Sequence, residues 1–333
     1  MSNSPRAKVV VTDFIAGNLE TERRILGDVA EVVALDASTE DALVGNVEHA
    51  DAIMMYHTLS ITEKTISRLT RCKLIVRCGV GYDNVDWATA RKRGIAVANV
   101  PDYGTEEVAD SAVGLMLSLT RGIAQLNSRL RDKLGEWSYL QAAPAYRLRG
   151  RTLAIVGLGR IGTAVAVRGK TLGMNVVFFD PYAPDGRDKS LGVTRVETLD
   201  ELLIQAHVLS LHCPLTAETR HIIDAARIAR MPRGSFLVNT SRGAVLDTRA
   251  VPDAVASGHL AGAGIDVLEV EPPAEDHPLI AAWRNPDHPA YHRVLINPHA
   301  AFYSEEGLMD MRVKGSEACR KAILGIPLRN VVN

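Results

Sequence analysis

Cysteine is scarce: Cys72, Cys78, Cys213 and Cys319 are the only four, none forms a CxxC pair, and each lies in or beside apolar sequence. This pattern argues against a disulfide framework or a metal site and predicts buried free thiols. An excess of either charge is also lacking. The 38 Lys and Arg nearly cancel the 39 Asp and Glu, and basic residues are scattered, so nothing marks a nucleic-acid surface. No stretch approaches the about 18 uninterrupted apolar residues of a membrane-spanning helix, and Met1 to Lys8 lacks the apolar core of a signal peptide. A cytoplasmic protein with no membrane partner is expected. With 47% apolar and 23% charged residues, the composition is that of a globular chain rather than a disordered one.

What is present is length enough for two cores, since 333 residues exceed a typical single domain. Val9 to Val11, Glu31 to Leu35, Ala52 to Tyr56, Leu74 to Arg77 and Ile95 to Val100 read as strands separated by segments of helical length. Runs this apolar on both faces predict a parallel sheet covered on both sides. From Thr105 to Arg131 one long helix is expected, with Thr105 as N-cap candidate and Glu106 and Glu107 complementing its dipole. Val108, Ala109, Ala112, Val113, Leu115, Met116, Leu117 and Leu119 nearly encircle it, which predicts burial by a second domain or a second subunit. Asp132 to Gly150 loses this periodicity and reads as a connection between domains.

A second series follows: Leu153 to Val156, Asn175 to Phe179, Val208 to His212, Ser235 to Asn239 and Ala263 to Val267 read as strands. Ser304 to Leu324 reads as a helix with no sheet of its own. The expected fold class is α/β, with two doubly wound parallel-sheet, Rossmann-like domains.

Leu153-Ala-Ile-Val-Gly157-Leu-Gly159-Arg160-Ile161-Gly162 leaves an apolar run and enters a helical pattern, and Asp180 closes the next apolar run 18 residues after Gly162. Gly157 and Gly159 suit a tight turn and close approach of a pyrophosphate, Gly162 close helix packing, and the helix N-terminus a positive field. Asp180 at the strand end suits the two ribose hydroxyls and repels a 2′-phosphate, so NAD is favoured over NADP.

Arg242, Glu271 and His299 each follow a strand-like run, and their strands would bring them to one sheet edge, where open α/β sheets bind ligands. Together with Leu74-Ile-Val-Arg-Cys-Gly79-Val80-Gly81, Asn99-Val-Pro-Asp-Tyr-Gly-Thr-Glu-Glu107, Asp180-Pro-Tyr182, Leu211-His-Cys-Pro214, Asn239-Thr-Ser-Arg-Gly243 and Pro298-His-Ala-Ala-Phe-Tyr-Ser-Glu305, they carry a resemblance. The chain resembles the D-isomer-specific 2-hydroxyacid dehydrogenases, most closely their C-terminal binding protein-like, phosphoglycerate dehydrogenase-related branch.

The resemblance implies a discontinuous substrate domain, 1–101 with 300–333, around an NAD-binding domain, 102–299. It implies an NAD-dependent enzyme acting on a small 2-hydroxy or 2-oxo acid, working as a homodimer without a metal. Arg242 would orient the substrate carboxylate, His299 would be the acid and base, and Glu271 would fix its tautomer and favour the charged imidazole. Thr105, Gly157, Gly159, Arg160, Ile161, Gly162, Asp180, Cys213, Thr240 and Asp266 would meet the dinucleotide. The loop Gly79-Val80-Gly81 would receive the substrate carboxylate. Arg77 would add charge there or stand exposed to water at the strand end, and His57 would reach the substrate or serve structure. Phe302 stands where the C-terminal binding proteins carry Trp, which puts a fit to their thioether-bearing oxo acid in question. The alternative implied function is an NAD-sensing interaction module like the animal corepressors.

Overall fold

Five short aliphatic runs pair to build the first sheet of the computed structural model, which describes residues 6–15 and 17–333. They are β1 (Ala7–Val11), β2 (Ala30–Ala34), β3 (Ala52–Met55), β4 (Leu74–Arg77) and β5 (Ala96–Asn99), in the order β2-β1-β3-β4-β5 and all parallel. This unit comprises Met1–Gly104 and Ser304–Asn333, and a second comprises Thr105–Tyr303. β3 and β4 are buried throughout because both faces are covered. Val10, Ile53, Met55, Ile75 and Val97 pack with Leu43, Ile66 and Leu69 on one side.

On the other side lie the helices Glu20–Leu26 and Glu305–Leu324. The tail helix starts at Ser304, whose hydroxyl accepts the Gly307 N–H at 2.8 Å. It approaches closely because Gly315 has no side chain, a Cβ there lying 2.6 Å from Cys78 Sγ. Arg312 then grips the fully buried Glu22 with two bonds of 2.7 Å. The tail closes along the sheet edge, Val332 N–H donating to Val97 at 2.8 Å. The orphan helix expected from sequence thus completes the first unit.

The second sheet holds β6 (Thr152–Val156), β7 (Asn175–Phe179), β8 (Thr194–Arg195), β9 (Val208–Leu211), β10 (Ser235–Asn239), β11 (Leu260–Ile265) and β12 (Val294–Ile296), ordered β12-β11-β10-β9-β6-β7-β8. All its pairs are parallel. The chain runs outward from β6 to β8, then returns to β9 beside β6 and runs the other way. That reversal opens a crevice at the carboxyl ends of β6 and β9. In the first sheet the corresponding place is between β1 and β3.

Three expectations need correction. The helix expected over Thr105 to Arg131 is two helices, Thr105–Thr120 and Ile123–Asp132. Gly122 takes φ +66°, a left-handed turn that ends the first helix, and a Cβ there would lie 2.6 Å from Ala142 Cβ. Thr105 is the first helical residue rather than a cap outside the helix. Ala109, Ala112, Leu115 and Met116 pack into a core of the second unit, so its own chain covers this helix on that side. The stretch from 132 to 150 lies inside the second unit, not between units; Leu148 joins its core and Gln125 Nε2 donates to the Gln141 carbonyl at 2.8 Å.

The four cysteines are free and buried, and burial pushes the thiols of Cys72, Cys78 and Cys213 up to about 12, leaving them unreactive. Among the described residues no helix is long and apolar enough to cross a membrane.

Candidate active site

β6 ends into Gly157, whose φ of +89° and close approach to β9 admit no side chain: a Cβ would lie 2.8 Å from the Cys213 nitrogen. Gly159 caps the helix Arg160–Thr171 without a side-chain bond, leaving its first backbone amides without a capping group. Gly162 lets that helix settle on Gly157, because a Cβ would meet the Gly157 carbonyl. Arg160 and Ile161 form its first turn. Arg168, further along, ties the helix to the Thr105–Thr120 helix through Glu106 at 2.5 Å and Asp110 at 2.7 Å.

Asp180, just past β7, closes the loop, its Oδ2 accepting the Leu158 N–H at 2.8 Å and its Oδ1 the Tyr182 N–H at 2.9 Å. Each oxygen keeps a second lone pair for a ribose hydroxyl. Two buried polar atoms flank the crevice without a partner among the described residues, Thr240 Oγ1 and His212 Nδ1. Buried polar groups are rarely left this way unless a ligand or water completes them. Burial also pushes the His212 imidazole down to about 3, so it is neutral, with Nε2 2.8 Å from Ser210 Oγ. The glycine cradle, Asp180 and the orphaned Thr240 hydroxyl suit a dinucleotide lying across β6 and β9.

Next to that crevice three loops converge. After β10, Asn239 folds the chain back: its Oδ1 accepts Ser241 N–H at 3.0 Å and its Nδ2 donates to the Arg242 carbonyl at 3.0 Å. Gly243 then allows the segment after β11 to pack on this loop, since a Cβ would collide with the backbone of Leu268 and Glu269.

That segment carries Glu271. Its Oε1 accepts the Leu268 N–H at 2.8 Å and its Oε2 lies 2.8 Å from His299 Nδ1. Burial opposes its ionisation, but the His299 bond and charge, the Leu268 amide and the Arg242 charge hold the carboxyl below the usual range. Glu271 is therefore an anion facing an imidazole.

His299 is held from behind by Asp266, which is almost fully buried. The Asp266 carbonyl accepts the His299 N–H at 2.8 Å, and its Oδ1 accepts Ala300 and Ala301 N–H groups, both at 3.0 Å. Burial pushes the Asp266 carboxyl up despite these bonds. The backbone of His299 has φ +51°, a left-handed conformation that a non-glycine residue keeps only where its surroundings enforce it. Phe302 meets the His299 ring edge-on, with centroids 6.2 Å apart.

In the first unit, Arg77 at the end of β4 is buried, not exposed to water. Its guanidinium fills the space above Gly79, and the Gly79 N–H already donates to the Arg77 carbonyl at 2.8 Å. The amides of Val80 and Gly81 have no backbone carbonyl partner among the described residues, while Asn99 Nδ2 holds the Val80 carbonyl at 2.7 Å. His57 follows β3 and packs against Phe14 at 4.8 Å between ring centroids. The buried Asp13 sets this turn, accepting Tyr56 N–H and Thr58 N–H at 2.8 Å each. Asp13 carried no signal in the sequence beyond standing just after a strand, and Asn239 none beyond its place in the Asn239-Thr-Ser-Arg-Gly243 segment.

Known proteins resemble this chain over nearly its whole length. Residues 113–301 match the model of the D-isomer specific 2-hydroxyacid dehydrogenase, NAD binding domain. The chain is 36% identical over 326 residues to a D-3-phosphoglycerate dehydrogenase of Methanocaldococcus jannaschii, covering 98% of this chain and 59% of that one. It spans about three fifths of the length of the curated relatives it matches. Among solved structures, a protein of Thermus thermophilus superposes with TM-score 0.85 at 33% identity, covering 98% of this chain and all of that one. The D-lactate dehydrogenase of Aquifex aeolicus, complexed with NAD and lactic acid, superposes with TM-score 0.83 at 29% identity over 95% of this chain and 96% of that one. The chain belongs to the D-isomer specific 2-hydroxyacid dehydrogenase family.

Proposed function

We propose that the protein is an NAD-dependent dehydrogenase that interconverts a small D-2-hydroxy acid and its 2-oxo acid. The observation that carries this reading is the Glu271–His299 pair, 2.8 Å apart, beside a dinucleotide crevice. Bound NAD supplies the hydride acceptor or donor. Reduction of a ketone builds negative charge on its oxygen, and His299 gives the proton that quenches it. Glu271, itself held by the Leu268 amide, keeps the proton on Nδ1, stabilises the imidazolium and leaves transfer to Nε2. Arg242 offers the planar fork that fits a carboxylate and carbonyl together. In the first unit, Arg77, Val80 and Gly81 supply charge and amides of the kind that take a substrate carboxylate, and His57 and Phe302 are proposed for the substrate side chain.

The named substrates of the relatives, phosphoglycerate and lactate, share the 2-hydroxy carboxylate that this set of residues fits. A screen of 2-oxo acids with NADH, from glyoxylate and hydroxypyruvate to phenylpyruvate, tests the reading by following absorbance. At least one should be reduced, and reduction of none by a folded, NADH-binding protein overturns it.

We further propose a homodimer. Leu134, Trp137, Tyr139 and Leu140 form an exposed apolar stretch, Trp137 and Tyr139 each 82% accessible, which a single chain in water seldom leaves open.

A further inference from the structure

One cluster of charged side chains lies outside the residues given roles above. Glu269, two residues before Glu271, accepts Arg220 Nη1 at 2.6 Å on one oxygen and meets His221 Nε2 at 3.1 Å on the other. Burial opposes its ionisation, but these two bonds hold its carboxyl below the usual range. His221 also works through its backbone, its N–H donating to the Ala244 carbonyl at 2.7 Å. Ala244 follows Arg242-Gly243 on the neighbouring loop. His221 thus grips one loop by its main chain and the other by its ring. It does so with φ +49°, the left-handed conformation that a non-glycine residue holds only when fixed from outside. The next residues extend the grip, Ile223 N–H donating to Val245 at 3.2 Å and Asp247 N–H to Ile223 at 2.9 Å.

Such a contact is poorly suited to stabilising the fold as a whole. Both His221 and Glu269 are about two fifths exposed, and ion pairs in that setting add little to global stability. Its geometric effect is larger. The bare backbone at Gly243 lets the two loops touch at Leu268 and Glu269, and the Asp266 N–H donates to the Asn239 carbonyl at 2.9 Å where they leave the sheet. The Glu269 carboxylate adds a side-chain bond farther along them.

Resting on the reading given under Proposed function, we infer that His221 and Glu269 are positioning residues, a cross-tie that sets the Arg242 loop against the Glu271 loop. They touch no substrate; they act by keeping Glu271 square to His299 while Arg242 stays in register.

His221→Asn and Glu269→Gln test this. Asn tolerates the left-handed turn and keeps the bond to Ala244 but is too short to reach Glu269; Gln keeps the size of Glu269 and removes its charge. Both variants should fold with melting temperatures within a few degrees of the parent. Turnover should fall roughly ten-fold or more and the KM for the 2-oxo acid should rise, with NADH affinity by fluorescence within two-fold. The double variant should cost less than the sum of the two singles, because both act on the one contact between His221 and Glu269.

A reading independent of turnover is the imidazole ¹⁵N and Nδ1 proton resonance of His299, which should broaden or shift in both variants as its pairing with Glu271 loosens. Parent-like kinetics and an unchanged His299 resonance in both variants overturn the cross-tie. If the parent itself reduces no 2-oxo acid, the functional reading fails, and the resonance alone still decides this one.

Discussion

Replacing Asp180 by Asn removes one charge while sparing the loop. The carboxylate accepts two backbone amides, from Leu158 at 2.8 Å and Tyr182 at 2.9 Å. Alanine would strip both and let the glycine turn drift, whereas the Asn carbonyl can keep one. What Asn cannot do is bind two ribose hydroxyls as an anion. A hydrogen bond to a charged acceptor contributes about 1 kcal/mol more than one to a neutral acceptor, so two hydroxyls lose roughly 2 kcal/mol. That weakens NADH about thirty-fold. The opposite holds for NADPH, whose 2′-phosphate no longer meets a like charge. At a separation on the order of 4 Å, that repulsion is at least about 1 kcal/mol per unit charge even at the dielectric constant of water. The preference for NADH over NADPH should therefore drop by about 10²–10³, mostly through the affinities. Titration of both reduced cofactors by fluorescence measures it directly. If the ratio of dissociation constants is unchanged in Asp180→Asn, this carboxylate does not face the ribose and the assignment of the crevice is wrong.

Gly243→Ala should lower stability by about 1–3 kcal/mol through overpacking against Leu268 and Glu269. Turnover should fall with it, and a denaturant melt with parent-like kinetics would contradict the loop packing. Arg312→Ala strands the buried Glu22 carboxylate, so urea unfolding should show a loss of roughly 3–5 kcal/mol, whereas a double change to apolar residues should recover most of it. Light scattering should give a dimer at micromolar concentration, and Trp137→Glu should shift it toward monomer. A parent chain that is monomeric at that concentration refutes the exposed stretch around Trp137 as an interface.

The parallel sheets were readable because their strands are aliphatic on both faces; Ala52 to Met55 and Leu74 to Arg77 admit no alternation that would place one side in water. β8 and β12, at two and three residues, are too short to show any period. The helix break at Gly122 was hidden because apolar residues on every side of 108–119 mask where one face ends, and a single glycine is tolerated within a helix. For the site, the glycine fingerprint and Asp180 were legible because their spacing is local and each residue answers a steric or electrostatic demand. Glu271 and His299 lie 28 residues apart; their strands pointed both to one sheet edge, but only a resemblance could pair them before the fold was known. Asp13 and the His221–Glu269 tie had no such help, because only the order of the strands brings their partners to them. Asn239 stood in a segment that carried the resemblance, but its bonds to Ser241 and Arg242 show only once the chain turns back. Asp266 was read as a dinucleotide contact; in the structure its Oδ1 holds the His299 loop through the Ala300 and Ala301 amides.

In the proposed mechanism His299, held by Glu271, gives the proton to the substrate oxygen. Single-turnover reduction of the best 2-oxo acid by His299→Ala, with NADH bound and its affinity measured separately, tests it most directly. The rate should fall roughly 10²–10⁴-fold while the NADH dissociation constant stays within two-fold of the parent's. Reduction by His299→Ala as fast as by the parent would contradict the claim and leave the family's fold without this chemistry.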